Sequence, residues 1–336
     1  MKSVALAALT FAMLLPVTTS AVPRPREPRL HPSSIPAVPS YVARVESAIV
    51  GVKVRARADA ASSARLGADR FASGVVFDER GYVVTVNYAL MDAVRIDVTT
   101  RTGRTANATL VGMDTASGLG VIKIEADGPW TPAILGHTRD LKIGDVTGTV
   151  GVDEDNDLVW VQSGVHGLRR FSAYWEYMLD RALFVSPGSP SWGGSAVVDA
   201  RGHVVGIASL RLGEAPHVNL AIPFEKFTDV KDELIAAGRV VSRRPRPWLG
   251  LYTIAVDNSV IVDGFAATGP ARTAGFRRGD RIVGVNGVGV RTQEEFYEAL
   301  WSGQAGDVVR LAVRRTDGVV VIPVRSIDRE ALNASR

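Results

Sequence analysis

Between Tyr41 and about Val240 the hydrophobic positions fall in short runs separated by turn residues, not in long helical stripes. GVKVRAR alternates apolar and basic residues, and SGVVFDERGYVVTV reads as two runs around the turn Asp78-Glu79-Arg80-Gly81. VRIDVTT, ATLVGM, LGVIKIE, VTGTVG and LVWVQSGV continue the series. From Ser189 to Ser209 a Gly-Gly corner feeds a hairpin whose runs flank Asp199-Ala200-Arg201-Gly202. Many short strands with Gly-bearing turns predict barrels or a sandwich, and the lack of alternating helices argues against a parallel α/β sheet. Helical signals are limited to Tyr41–Ala48 and to Ile222–Ala237, where Pro223 opens the segment, Phe227, Val230 and Leu234 recur at helical spacing, and Gly238 stops it.

VSRRPRP, residues 241–247, predicts a solvated linker by its Pro and Arg content. A second, smaller unit follows. It contains a strand VIVDGF, a loop ATGPARTAGFRRGD, a strand RIVGVNG and a helix TQEEFYEALW. A hairpin around Thr316-Asp317-Gly318 closes it, and the residues from Asp328 onward predict a frayed end. Residues 22–40 are Pro-rich without apolar period, which predicts an extended linker holding a solvated His31. Before them, Lys2, the apolar run Val4–Val17 and the small residues Thr19-Ser20-Ala21 predict a cleaved export signal, too short for a membrane span. The expected location is the periplasm, with a secreted or signal-anchored form as the alternatives, and no integral span after cleavage.

The 336 residues carry 39 basic and 35 acidic side chains, a net charge of +4 with no clustered basic stripe, which argues against nucleic acid as a partner. The absence of cysteine excludes disulfides, thiolate metal sites and a cysteine nucleophile. Five scattered histidines offer no pair at metal-ligand spacing, so no metal and no cofactor is expected. Arg169–Val185 concentrates Phe171, Tyr174, Trp175, Tyr177, Met178 and Phe184, read either as packing of a barrel or as a contact surface, with packing favoured.

The order of these segments resembles the HtrA/DegP-like group of trypsin-like serine proteases. SGVVFDERGYVVTVN is similar to the segment ending in the catalytic histidine, GRTANATLVGMDTASGLGVIKI to that of the aspartate, and WGGSAVVDARGHVVGI to that of the nucleophile. RPWLGL and GPARTAGFRRGDRIVGVNG resemble a PDZ unit. The resemblance implies a mainly β chain: a trypsin-like double β-barrel over residues 42–240, then a PDZ domain over 248–327, a small α+β fold. A signal peptide at 1–21, a Pro-rich linker at 22–41 and a second linker at 241–247 complete the expected plan.

The departures fall on the implied catalytic positions. Tyr88 stands where the histidine base is implied, Gly118 where the aspartate is implied and Trp192 where the serine is implied. A phenol with pKa near 10 is a poor base, glycine offers no carboxylate, and indole has no nucleophilic oxygen. Pro190 replaces a glycine implied to donate its N–H to the oxyanion, and proline has none to donate. A register shift would offer Ser189, Ser191 or Ser195 as nucleophile, but no shift supplies a histidine. Tyr88 and Trp192 are expected to pack together across the cleft, within about 7 Å.

The PDZ resemblance implies a carboxylate-binding loop at Trp248-Leu249-Gly250-Leu251, a strand from Tyr252 able to pair with an added peptide, and a helix presenting Phe296 and Leu300. The expected function is non-catalytic binding of polypeptide C-termini or unfolded envelope proteins, as an adaptor or chaperone-like factor. The alternatives are an endopeptidase with an unconventional site and a regulatory subunit of an active relative. A homotrimer or association with that relative stays open.

Overall fold

The computed structural model describes residues 38–330, so the expected export signal and nearly all of the Pro-rich stretch lie outside the described residues. From Val38 on, the chain forms one compact unit. Among the described residues no helix is long and apolar enough to cross a membrane.

Twelve strands build two closed barrels. The first contains β1 (Ile49–Ala56), β2 (Asp69–Val76), β3 (Tyr82–Val86), β4 (Ala93–Thr100), β5 (Thr105–Asp114) and β6 (Leu119–Ile124), in the order β1-β2-β3-β6-β5-β4. The second contains β7 (Val146–Val152), β8 (Leu158–Ala173), β9 (Tyr177–Ser186), β10 (Ala196–Asp199), β11 (Val204–Leu212) and β12 (Val218–Pro223), in the order β10-β11-β12-β9-β8-β7. Closure removes the free edges that short antiparallel strands would otherwise expose. Val50, Val52, Val54, Val75, Val84 and Ile122 are among the buried side chains of the first barrel, at 2% exposure or less. The predicted hairpin turns fall where expected, between β2 and β3 and between β10 and β11.

The barrels meet through β2 and the Gly-Gly corner. The Ser73 N–H donates to the Gly193 carbonyl (2.8 Å), and the Val152 N–H donates to Ser73 Oγ (2.9 Å). Gly194 lies at φ +80°, and a Cβ there would stand 2.0 Å from the Ser73 carbonyl oxygen. Only glycine permits that approach.

Three local expectations are corrected. The helix read from Ile222 begins later: Val218–Pro223 completes the second barrel as β12, and short helices Glu225–Thr228 and Lys231–Ala237 follow. Residues 241–247 are not wholly solvated. Arg243 Nη1 reaches Asp114 Oδ1 at 2.8 Å, and the Asp114 side chain is fully buried. Buried carboxylates require partners, which outweighed the linker composition. The chain end is not frayed at Asp328 either, since β20 (Ile327–Asp328) pairs with β13 (Pro247–Trp248).

The C-terminal unit carries the sheet β14-β15-β16-β18-β19: β14 (Leu251–Val256), β15 (Ser259–Phe265), β16 (Arg281–Val285), β18 (Val308–Arg315) and β19 (Gly318–Arg325). β17 (Val288–Gly289) pairs with β16 alone. The helix Gln293–Trp301 starts at a capping box in which Thr292 and Glu295 satisfy each other's backbone N–H. Its buried residues, Gln293, Phe296, Tyr297 and Leu300, lie on one face by helical spacing.

Asp114 also accepts the N–H groups of Ala116 (3.0 Å) and Ser117 (3.2 Å). Asp114→Ala leaves those donors and the partly buried Arg243 unpaired. It should lower unfolding free energy by about 3 kcal/mol, read by urea denaturation; a loss under about 1 kcal/mol would contradict this anchoring role.

Candidate functional site

Tyr88 and Trp192 face each other at the barrel junction, with ring centroids 6.5 Å apart and planes at 46°. The Tyr88 hydroxyl donates to the Ser209 carbonyl (3.0 Å), and burial pushes its pKa above that of a free phenol. Its proton is therefore held on a backbone acceptor. A Cβ on Gly193 would lie 3.2 Å from that same hydroxyl oxygen.

Around the corner every serine hydroxyl donates to a carbonyl. Ser195 Oγ donates to the Ser191 carbonyl (2.5 Å), Ser189 Oγ to the same carbonyl (3.4 Å), and Ser191 Oγ to the Val152 carbonyl. Ser189 and Ser195 are fully buried. Among the described residues no histidine is hydrogen-bonded to any of them. His203 Nδ1 faces Asp199 Oδ2 at 3.6 Å, and His217 Nδ1 lies 2.8 Å from the Gly213 carbonyl. The Gly194 N–H donates to the Ala208 carbonyl (2.9 Å) and the Ser195 N–H to the Trp192 carbonyl (3.1 Å). Pro190, exposed at the rim, contributes no N–H.

Gly118 lies at φ +86°, a conformation that L side chains rarely adopt. A Cβ there would stand 3.0 Å from the Tyr177 hydroxyl and 3.3 Å from Ile222 Cδ1. The Tyr177 hydroxyl donates to the Ser117 carbonyl (2.6 Å), and burial, reinforced by Asp114, raises its pKa. The phenol therefore fills the space a side chain on Gly118 would need.

Tyr177 opens β9, directly after the turn 174–176 that joins it to β8, and that turn reaches the C-terminal unit. Glu176 Oε2 accepts the Leu249 N–H (3.0 Å) and Oε1 the Leu251 N–H (2.7 Å). Burial pushes this carboxyl up to about 7, against the opposing pull of those backbone donors and of Arg329. Two residues back, the Tyr174 carbonyl accepts the Thr253 N–H of β14 (3.0 Å). On the helix side, the Tyr297 hydroxyl donates to the Ala173 carbonyl (2.6 Å) and receives the Glu176 N–H (3.2 Å). Met178 joins the apolar cluster that holds Leu249, Leu251, Phe296 and Leu300.

Leu249 and Leu251 thus donate to a carboxylate of the same chain. Trp248 and Gly250 are buried beside them, and Phe296 and Leu300 are fully buried. The aromatic segment divides: Phe184 and Tyr177 pack inward, whereas Tyr174 sets its edge against Tyr252 with centroids 5.5 Å apart. Sequence reasoning missed Glu176 and Tyr297, and it read Tyr177 only as one of the aromatic residues packing a barrel. The lone acidic residue inside the apolar run YWEYM was the available signal for the first.

Comparison with known proteins follows the same division. The trypsin-like peptidase domain model matches residues 72–207 and the PDZ domain model residues 247–326. The chain is 27% identical to the serine endoprotease DegS of Salmonella typhimurium, over 99% of both chains. It is 28% identical to DegS of Escherichia coli K12, over 78% of both. Among solved structures it is similar to the HtrA-type protease AlgW with decapeptide, at TM-score 0.55 and 20% identity. That match covers 86% of this chain and 98% of AlgW. A serine endoprotease from Yersinia pestis matches at TM-score 0.55 and 24% identity, covering 86% of this chain and 96% of that one. With a trypsin-like peptidase domain joined to a PDZ domain, and DegS and HtrA proteins as its relatives, this chain belongs to the HtrA-like family.

Proposed function

We propose that this chain is a non-catalytic HtrA-like protein that binds polypeptide C-termini through its PDZ domain, as an adaptor or chaperone-like factor of the cell envelope. The observation that carries the reading is the pair of backbone donors, Leu249 and Leu251, already holding a carboxylate beside an apolar cluster. Paired N–H groups facing a carboxylate are how such loops capture a free chain end. AlgW, a protein of this fold, has been solved with a decapeptide, which supports peptide binding here.

Loss of chemistry follows from the side chains at the barrel junction. A serine protease needs a nucleophile hydrogen-bonded to a base and a donor pair at the oxyanion. Here Tyr88 donates its own proton, Trp192 carries no nucleophile, Gly118 carries no carboxylate and Pro190 carries no N–H. The site is degenerate at each position that the chemistry requires.

Three outcomes are expected. The purified protein should not hydrolyse an unfolded fluorogenic protein substrate above the rate of the buffer blank; turnover that persists through repurification would overturn the reading. Calorimetric titration with peptides of hydrophobic C-terminus should show binding that disappears on amidation, and carboxylate-independent binding would contradict the PDZ role. Restoring Gly118→Asp should cost roughly 1–3 kcal/mol of stability, because the backbone is left-handed there and Tyr177 occupies the space. Denaturant unfolding measures this, and an unchanged midpoint would contradict it.

A further inference from the structure

Glu176 is the exception in its backbone class. Six non-glycine residues among those described have positive φ, and five of them are Asp or Asn, the types that tolerate this region. Glu176, at φ +54°, is the sixth. Glutamate has no local reason to adopt that conformation, so the turn is held by what its side chain reaches. Its side chain reaches Leu249 and Leu251, while exposing only 5% of the residue.

The surrounding contacts follow the layout of a bound peptide. A carboxylate sits on the loop donors, and a backbone carbonyl two residues upstream accepts from the β14 strand through Thr253. Met178 contributes an apolar side chain to the cluster that holds Leu249, Leu251, Phe296 and Leu300. The helix grips the segment from the other side: Tyr297 donates to the Ala173 carbonyl, Ser172 Oγ donates to Glu294 Oε1 (2.6 Å) and Arg170 pairs with Glu298 (2.8 Å).

We propose that the turn Tyr174–Met178 is a built-in ligand of the PDZ groove, with the Glu176 side-chain carboxylate in the place of a peptide's terminal carboxylate. An incoming polypeptide C-terminus with a free carboxylate and an apolar last side chain then binds only by displacing this turn. The inference rests on the peptide-binding reading above and adds to it that the groove is self-occupied. Affinity for an outside peptide is reduced by the fraction of molecules whose groove is open.

The test uses a fluorescent decapeptide ending in Tyr-Trp-Met, with a free or amidated terminus, titrated into the purified protein. Glu176→Gly removes the carboxylate and suits the left-handed backbone, so the turn itself is spared. It should bind the free-carboxylate peptide at least tenfold more tightly than the unaltered protein, with Glu176→Gln between them. Equal affinity of the unaltered protein and both variants would overturn the built-in ligand and leave the peptide-binding reading standing. No binding by any of the three would remove the peptide-binding reading and this inference with it. An independent measurement uses the unaltered protein. Hydrogen exchange at the amides of Ala173–Met178 should speed up when the peptide saturates, and protection retained with peptide bound would overturn the proposal.

Discussion

A buried carboxylate without partners costs more than most folded proteins can sustain, and the docking of the two halves of this structure is organised around satisfying one. Glu176 projects from the tip of a barrel hairpin into the loop of the PDZ domain, where two backbone N–H groups hold it. Its neighbours are placed by the same constraint. Tyr177 turns the opposite way and donates to the Ser117 carbonyl, and Met178 enters the PDZ apolar cluster. Three consecutive residues therefore tie the first barrel, the second barrel and the PDZ domain together. Arg329, whose guanidinium donates to the Trp175 carbonyl at 3.4 Å, anchors the chain end to the same turn.

The barrel junction is built on a Gly-Gly corner bonded to β2. Gly193, Gly194, Ser73 and Thr85 form a backbone lattice between the barrels: the Ser73 N–H donates to the Gly193 carbonyl and Thr85 Oγ1 donates to the Ser73 carbonyl (2.6 Å). That lattice ties the corner to β2 and β2 to β3. The partly buried Tyr88 and Trp192 rings pair beside it, with centroids 6.5 Å apart. Tyr177 closes the remaining side against Gly118.

The barrels were legible because alternation and turn chemistry are local signals. Asp78-Glu79-Arg80-Gly81 and Asp199-Ala200-Arg201-Gly202 each specify a hairpin within a few residues. The contact between Tyr88 and Trp192 could be anticipated because both stand at positions that the resemblance brings together. The ion pair of Arg243 with Asp114 could not, since its partners are far apart in sequence and composition marks Arg243 as linker. The same holds for Glu176, whose partners Leu249 and Leu251 lie more than seventy residues further along the chain. Gly118 was legible as a missing carboxylate, but its left-handed backbone and the phenol against it were not.

The central claim is that no serine of the barrel junction is activated. The most direct measurement is intact mass after incubation with a fluorophosphonate, which phosphonylates an activated serine hydroxyl. No adduct is predicted, because Ser189, Ser191 and Ser195 donate to backbone carbonyls and no base is hydrogen-bonded to them. A stoichiometric adduct mapped to any of those three serines would contradict the account.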